Sequence, residues 1–201
     1  LEYAEDDAVG AIKPQKILYD VEQVYGRDGL LLSDVGAHKM WIARHYHCAT
    51  PNVCLIPNGF CSMGFALPGA IGAKLVHPDK KILAVCGDAG FLMNVQEMET
   101  ARRLNSNIVA MVWEDKEYGL ISWKQQTQFG THTDLSFNNP DWLKLADAFG
   151  WKGHLVENSK DLVGALEQAF KEKGPSLVVI PIDYRENLKL TERLGDIVCA
   201  I

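Results

Sequence analysis

Between Lys81 and Trp113 an apolar run, a helical stretch and a second apolar run follow one another, and this alternation extends through most of the chain. The spacing predicts strands at 81–86 and 107–113 with a helix at 91–104 between them. Short strands are expected at 29–33, 53–56, 152–156 and 176–182. Helices are expected at 14–25, where Pro14 suits the first turn and Ile17, Leu18, Val21 and Val24 share a face, and at 38–46. Six of the ten residues from Gly64 to Ala73 are Gly or Ala, which lets a helix pack closely on a sheet. Asn139-Pro140 starts a helix with Trp142, Leu145, Ala146 and Phe149 on one side, and Ser159 is expected to cap a helix at 159–173. Strands alternating with helices of this length predict an α/β fold, a doubly wound and mostly parallel sheet of about six strands with helices on both faces. The 201 residues suffice for one large core. The expected division is a linker or cut edge at 1–13, the domain at 14–187 and a tail at 188–201.

Two carboxylates stand out against this frame. The first strand ends in Gly87-Asp88-Ala89-Gly90-Phe91 and the second in Glu114-Asp115, so Asp88 and Asp115 fall just past the ends of successive strands. In open parallel sheets ligands bind in the crevice outside those ends. Backbone N–H groups near Ala89 and Gly90, at a helix start, suit a phosphate. Carboxylates beside a phosphate need a cation between them, and Mg²⁺ is commonly held by one or two carboxylates plus ligand phosphates. Each half alone reads as an ordinary turn; the pair, at this spacing, reads as a metal–diphosphate clamp. Glu114, leaving the strand on the opposite side, should point elsewhere. Ser33-Asp34-Val35-Gly36-Ala37-His38 repeats the strand-to-helix topography, with Asp34 read by itself as a cap of its own turn.

The 87–115 segment resembles the binding motif of thiamine diphosphate enzymes, which runs from Gly-Asp-Gly through about two dozen residues to Asn-Asn. Here Ala89 replaces the third glycine, and Glu114 and Asp115 replace the asparagines. The Asp variant is similar to catabolic acetolactate synthases, as is the tail motif at 182–187. Val35, Gly36, His38 and Trp41 match a pattern of the acetohydroxyacid (acetolactate) synthase family. The resemblance covers 14–187 and implies that Gly36, Ala37, His38, Gly87, Asp88, Ala89 and Gly90 hold the diphosphate. It implies Mg²⁺ on Asp88, Asp115 and the backbone carbonyl of Glu117. Met63, otherwise readable as core filler, would take the catalytic role of bending the cofactor, with the backbone at Cys61 and Met63 bonding the pyrimidine edge. Tyr118 and Gly119 would cover the thiazolium, and Trp123 would line the substrate channel. Lys124 stands where ketobutyrate-preferring relatives have Trp, which implies pyruvate as second substrate.

The implied activity condenses two pyruvates to 2-acetolactate with loss of CO₂. Two alternatives remain: another 2-keto acid decarboxylase, oxidase or carboligase of the superfamily, or a non-catalytic diphosphate–metal module or regulatory subunit. The family's ring-activating glutamate lies on a different domain, so further domains and a second subunit, in a homodimer or tetramer, are expected partners. The isolated chain is expected to be inactive. A net charge of −6 argues against a nucleic-acid partner. No run of 18 apolar residues occurs, so no membrane partner is expected. Five cysteines, Cys48, Cys54, Cys61, Cys86 and Cys199, lack a C-x-x-C spacing. That suggests a reducing, cytoplasmic setting without a zinc site.

Overall fold

A computed structural model describes residues 10–26 and 28–192. Among these residues six strands form one sheet, all parallel: β1 (Leu30–Ser33), β2 (Cys54–Leu55), β3 (Ile82–Gly87), β4 (Val109–Glu114), β5 (Lys152–Leu155) and β6 (Ser176–Pro181). Their order is β2-β1-β3-β4-β6-β5. From β1 the chain moves outward to β2, then returns past β1 to β3 and β4. The order therefore reverses between β1 and β3, and the crevice beyond their carboxyl ends is a topological switch point.

Alternate residues of each buried strand feed opposite faces. Leu83, Val85, Val109, Met111, Trp113, Val178 and Ile180 pack under α1 (Pro14–Tyr25), α2 (Ala37–His45) and α8 (Leu162–Lys171). Ile82, Ala84, Cys86, Ala110, Val112, Leu177 and Val179 pack under α3 (Ala66–Val76), α5 (Glu97–Arg103) and α7 (Trp142–Ala148). Helices thus cover both faces, as the alternation requires.

Three local expectations change, and one further helix joins them. The helix expected at 91–104 is two short helices, α4 (Asp88–Met93) and α5, broken at 94–96. There the Asn94 side chain donates to the Gly64 carbonyl at 2.8 Å, and Gly64 holds φ 81°. A Cβ on Gly64 would meet Asn94 Nδ2 at 2.6 Å, so this contact needs glycine and ends the first helix. Ser159 opens a single 3₁₀ turn, Ser159–Asp161, rather than capping α8, which starts at Leu162. Asn158 instead bonds Asp161 across that turn at 2.9 Å. The 118–124 segment, whose helical character carries little amphipathic signal, opens α6 (Gly119–Phe129). Finally, α9 (Asn187–Glu192) runs across the expected boundary between domain and tail at 187/188.

Packing reaches beyond 14–187 at both ends. Ile12 is fully buried and bridges Ile182 in parallel, with Ile12 N–H donating to the Pro181 carbonyl at 2.8 Å. Leu190 is buried, its carbonyl accepts from Arg44, and Asn187 accepts from the Trp41 indole at 2.7 Å. The remainders of the expected linker and tail, 1–9 and 193–201, lie outside the described residues.

Candidate functional site

The β3–β4 pairing sets Gly87 beside Trp113, so the residues that follow each strand leave the sheet together. Asp88 is 1% exposed, yet its carboxylate is well supplied with donors. Oδ1 accepts from Ala89 N–H at 2.8 Å, and Oδ2 from Lys116 N–H and Asn139 Nδ2, each at 2.7 Å. Lys116 adopts φ 60°, a left-handed turn unusual for a side-chain-bearing residue, which brings its N–H onto Asp88. The Ala89 N–H expected to face a phosphate is therefore engaged by Asp88 itself.

Asp115 is half-buried, its Oδ1 accepting from Glu117 N–H at 3.4 Å. Burial first, and then the neighbouring Asp88 carboxylate, push its pKa up to about 8. A Cβ on Gly119 would collide with Asp115 Oδ2, so glycine there leaves that oxygen its space. Glu114 faces the other way: its Oε1 accepts from Asn139 Nδ2 at 2.9 Å and Trp142 Nε1 at 2.8 Å. Glu117 pairs with Ser136 in an antiparallel bridge whose hydrogen bonds use Tyr118 N–H and the Lys116 carbonyl. The Glu117 carbonyl stays out of that pairing. Among the described residues no three His, Cys, Asp or Glu side chains gather as a metal cluster. Two carboxylates, a backbone carbonyl and ligand oxygens are what this crevice offers a cation, a donor set that suits Mg²⁺.

The opposite wall comes from the start of α2. His38 is 1% exposed, and burial lowers its pKa to about 4. Among the described residues its Nε2 has no hydrogen-bond partner, nor does the buried indole Nε1 of Trp113. Orphaned polar atoms are rare in protein interiors, and two of them on one cleft suit a polar ligand. Asp34, fully buried, accepts from Val35 N–H at 2.7 Å and from Gly64 N–H at 3.0 Å. It therefore ties the end of β1 to the turn that carries Met63, thirty residues away, besides capping its own turn.

One cleft gathers Gly36, Ala37, His38, Met63, Gly87, Asp88, Ala89, Gly90, Asp115, Glu117, Tyr118 and Gly119. Two expected site residues stand apart from its lining. The Cys61 thiol lies 3.1 Å from Lys39 Nζ, and Cys61 itself adopts φ 52°. Trp123 lines an adjoining open cleft with Asp183, Tyr184 and Leu188. That second cleft shares Asp115, Glu117, Gly119 and Tyr184 with the first, so the two are continuous. The sequence reading missed the bridging amide of Asn139, the long-range role of Asp34, and Trp113 and Tyr184 as cleft walls. Trp113 reads as the last apolar residue of a strand and Asn139 as a helix start. Only the position of Trp113 two residues before Asp115 offered a signal.

The family described as thiamine pyrophosphate enzyme, C-terminal TPP binding domain, matches residues 34–180, which include every cleft residue from Val35 to Ile121. Among curated proteins, the catabolic acetolactate synthase of Raoultella terrigena is 37% identical over 184 residues, covering 92% of this chain and 33% of the relative. Acetolactate synthase of Bacillus subtilis is 35% identical over 177 residues, covering 88% and 31%. The large subunit of Escherichia coli acetolactate synthase isozyme 2 is 34% identical over 164 residues, covering 80% and 30%. The chain thus spans about a third of the length of these relatives.

Proposed function

Because this chain belongs to the thiamine pyrophosphate enzymes, as their C-terminal cofactor-binding domain, we propose that it holds thiamine diphosphate through Mg²⁺ in an acetolactate synthase acting on pyruvate. The observation that carries the reading is the Asp88–Asp115 pair at the ends of β3 and β4, beside the β1/β3 switch point, with the Asp115 acid pushed up to about 8 by burial and then by its neighbour. Such a pair repels itself when both members ionise, and a divalent cation removes that repulsion.

Asp88 and Asp115 would coordinate the metal through side-chain oxygens and Glu117 through its carbonyl. Lys116 N–H and Asn139 hold Asp88 in place beforehand, so little ordering is needed when the metal arrives. His38, at the start of α2, would meet the diphosphate, and Asp34 fixes the turn that presents Met63 to the cleft. When bound, the cofactor would supply the carbon that adds to a 2-keto acid and accepts the electrons left by departing CO₂. The protein's task is then orientation and charge neutralisation rather than generating a nucleophile from water.

The relatives' greater length supports the view that further domains, and through them a second subunit, complete the active site. A cytoplasmic setting belongs to the same proposal; Cys48, Cys54, Cys61 and Cys86 are free thiols. Isothermal titration of the full-length protein with thiamine diphosphate tests the reading. Binding should require Mg²⁺ and vanish in Asp88→Ala; undiminished binding by that variant refutes the assignment.

A further inference from the structure

Four tryptophans are buried, and three of them spend their indole N–H on a protein acceptor. Trp41 donates to Asn187 at 2.7 Å, Trp142 to Glu114 at 2.8 Å and Trp151 to the Met98 carbonyl at 2.9 Å. Trp113 differs. Its side chain is 0% exposed and, among the described residues, its Nε1 has no partner. A buried donor left unpaired forfeits the hydrogen bond it had with water in the unfolded chain, so a fold that keeps one gains nothing from it until an acceptor arrives.

The placement of Trp113 narrows what that acceptor is. It sits beside Gly87 in the β3–β4 register, two residues before Asp115, and lines the cleft that holds both aspartates. Its ring stands edge-on to His38 at 6.2 Å between centroids and tilted to Tyr184 at 6.5 Å. His38 Nε2, on the same cleft, is likewise unpartnered among the described residues. A ligand rich in acceptor oxygens, neutralised by a cation on the carboxylate side, gives the indole N–H the acceptor it lacks.

We propose that the indole N–H of Trp113 is a diphosphate ligand, donating to an oxygen of the bound cofactor. This rests on the reading of the cleft as a thiamine diphosphate site. Indole is donor-only and uncharged over the working pH range, so it recognises an acceptor oxygen without adding charge to a cleft already balanced by metal and carboxylates. A hydrogen bond to a charged group is also stronger than one between neutral partners.

The test uses the full-length protein, titrated with Mg²⁺–pyrophosphate and with Mg²⁺–thiamine diphosphate, in wild type and Trp113→Phe, which keeps an aromatic ring and removes the donor. The variant should bind both ligands about tenfold more weakly, a loss of about 1.4 kcal/mol. In ¹⁵N-labelled wild type, the Trp113 indole N–H resonance should move downfield on saturation with Mg²⁺–pyrophosphate. This second measurement decides the matter if the variant does not fold. Binding by the variant within twofold of wild type, or an unmoved resonance in saturated wild type, overturns the inference while leaving the cofactor reading intact. Failure of wild type to bind either ligand overturns both.

Discussion

Replacing Asp115 with Asn should stabilise the metal-free protein while abolishing its response to Mg²⁺. In the folded chain burial and the Asp88 carboxylate raise the Asp115 pKa to about 8, against 3.8 for the free side chain. Across that window the native state holds a proton that the unfolded state has released. Native stability therefore falls as pH rises from about 4 to 8, and the penalty is fully present above 8. Each pH unit within the window is worth about 1.4 kcal/mol, giving a ceiling of about 6 kcal/mol. Asp115 is only half-buried, and water entering the cleft screens the pair, which leaves roughly 2–3 kcal/mol. Asparagine keeps the shape and carries no charge. The assay is thermal unfolding from pH 5 to 9, with and without Mg²⁺. Without metal, Asp115→Asn should melt higher than wild type at pH 8, and the gap should close toward pH 5. With Mg²⁺, wild type should rise at pH 8 and the variant should not. A variant that melts lower than wild type at pH 8 without metal, or gains as much from Mg²⁺, would refute the argument.

Three further outcomes follow from neighbouring groups. His38 carries the opposite slope: its folded pKa near 4 lies below the free value of 6.5, so stability is complete above pH 6.5 and declines by up to about 3 kcal/mol as pH falls to 4. His38→Gln should remove that acid-side decline in urea titrations at pH 4.5 and 7; an unchanged slope assigns the decline to other groups. Asp34→Ala strands the buried N–H groups of Val35 and Gly64 and should cost roughly 2–5 kcal/mol by denaturant unfolding; a loss below 1 kcal/mol would mean that the Met63 turn holds without it. With Lys124 and Trp123 where they stand, the full-length enzyme should favour pyruvate over 2-ketobutyrate as acceptor, by a modest factor, since one methylene is worth about 1–3 kcal/mol. Dominant acetohydroxybutyrate in a competition assay would remove that subtype while sparing the cofactor reading.

The class of fold was legible in the chain, because burial on both faces of a parallel strand writes unbroken apolar runs such as Ile82–Cys86 and Val109–Trp113 into it, and helices must separate them. The sequence also placed Asp88 and Asp115 at the ends of successive strands, since a carboxylate after such a run has nowhere else to be. Short-range rules reached no further. Asn94 ends a helix because Gly64 approaches it from another loop, and Asp34 serves Gly64 as well as its own turn. Ile12, which falls in the segment expected as a linker, is core because Ile182 lies beside it. Asn139 joins Asp88 to Glu114, residues 51 and 25 positions away. The strand order that opens the crevice between β1 and β3, and the burial that leaves the Trp113 indole without an acceptor, depend on contacts among segments far apart in the chain. Periodicity and turn chemistry report only what a residue meets within a few positions. Tertiary packing alone decides which donors are paired and which are left for a ligand.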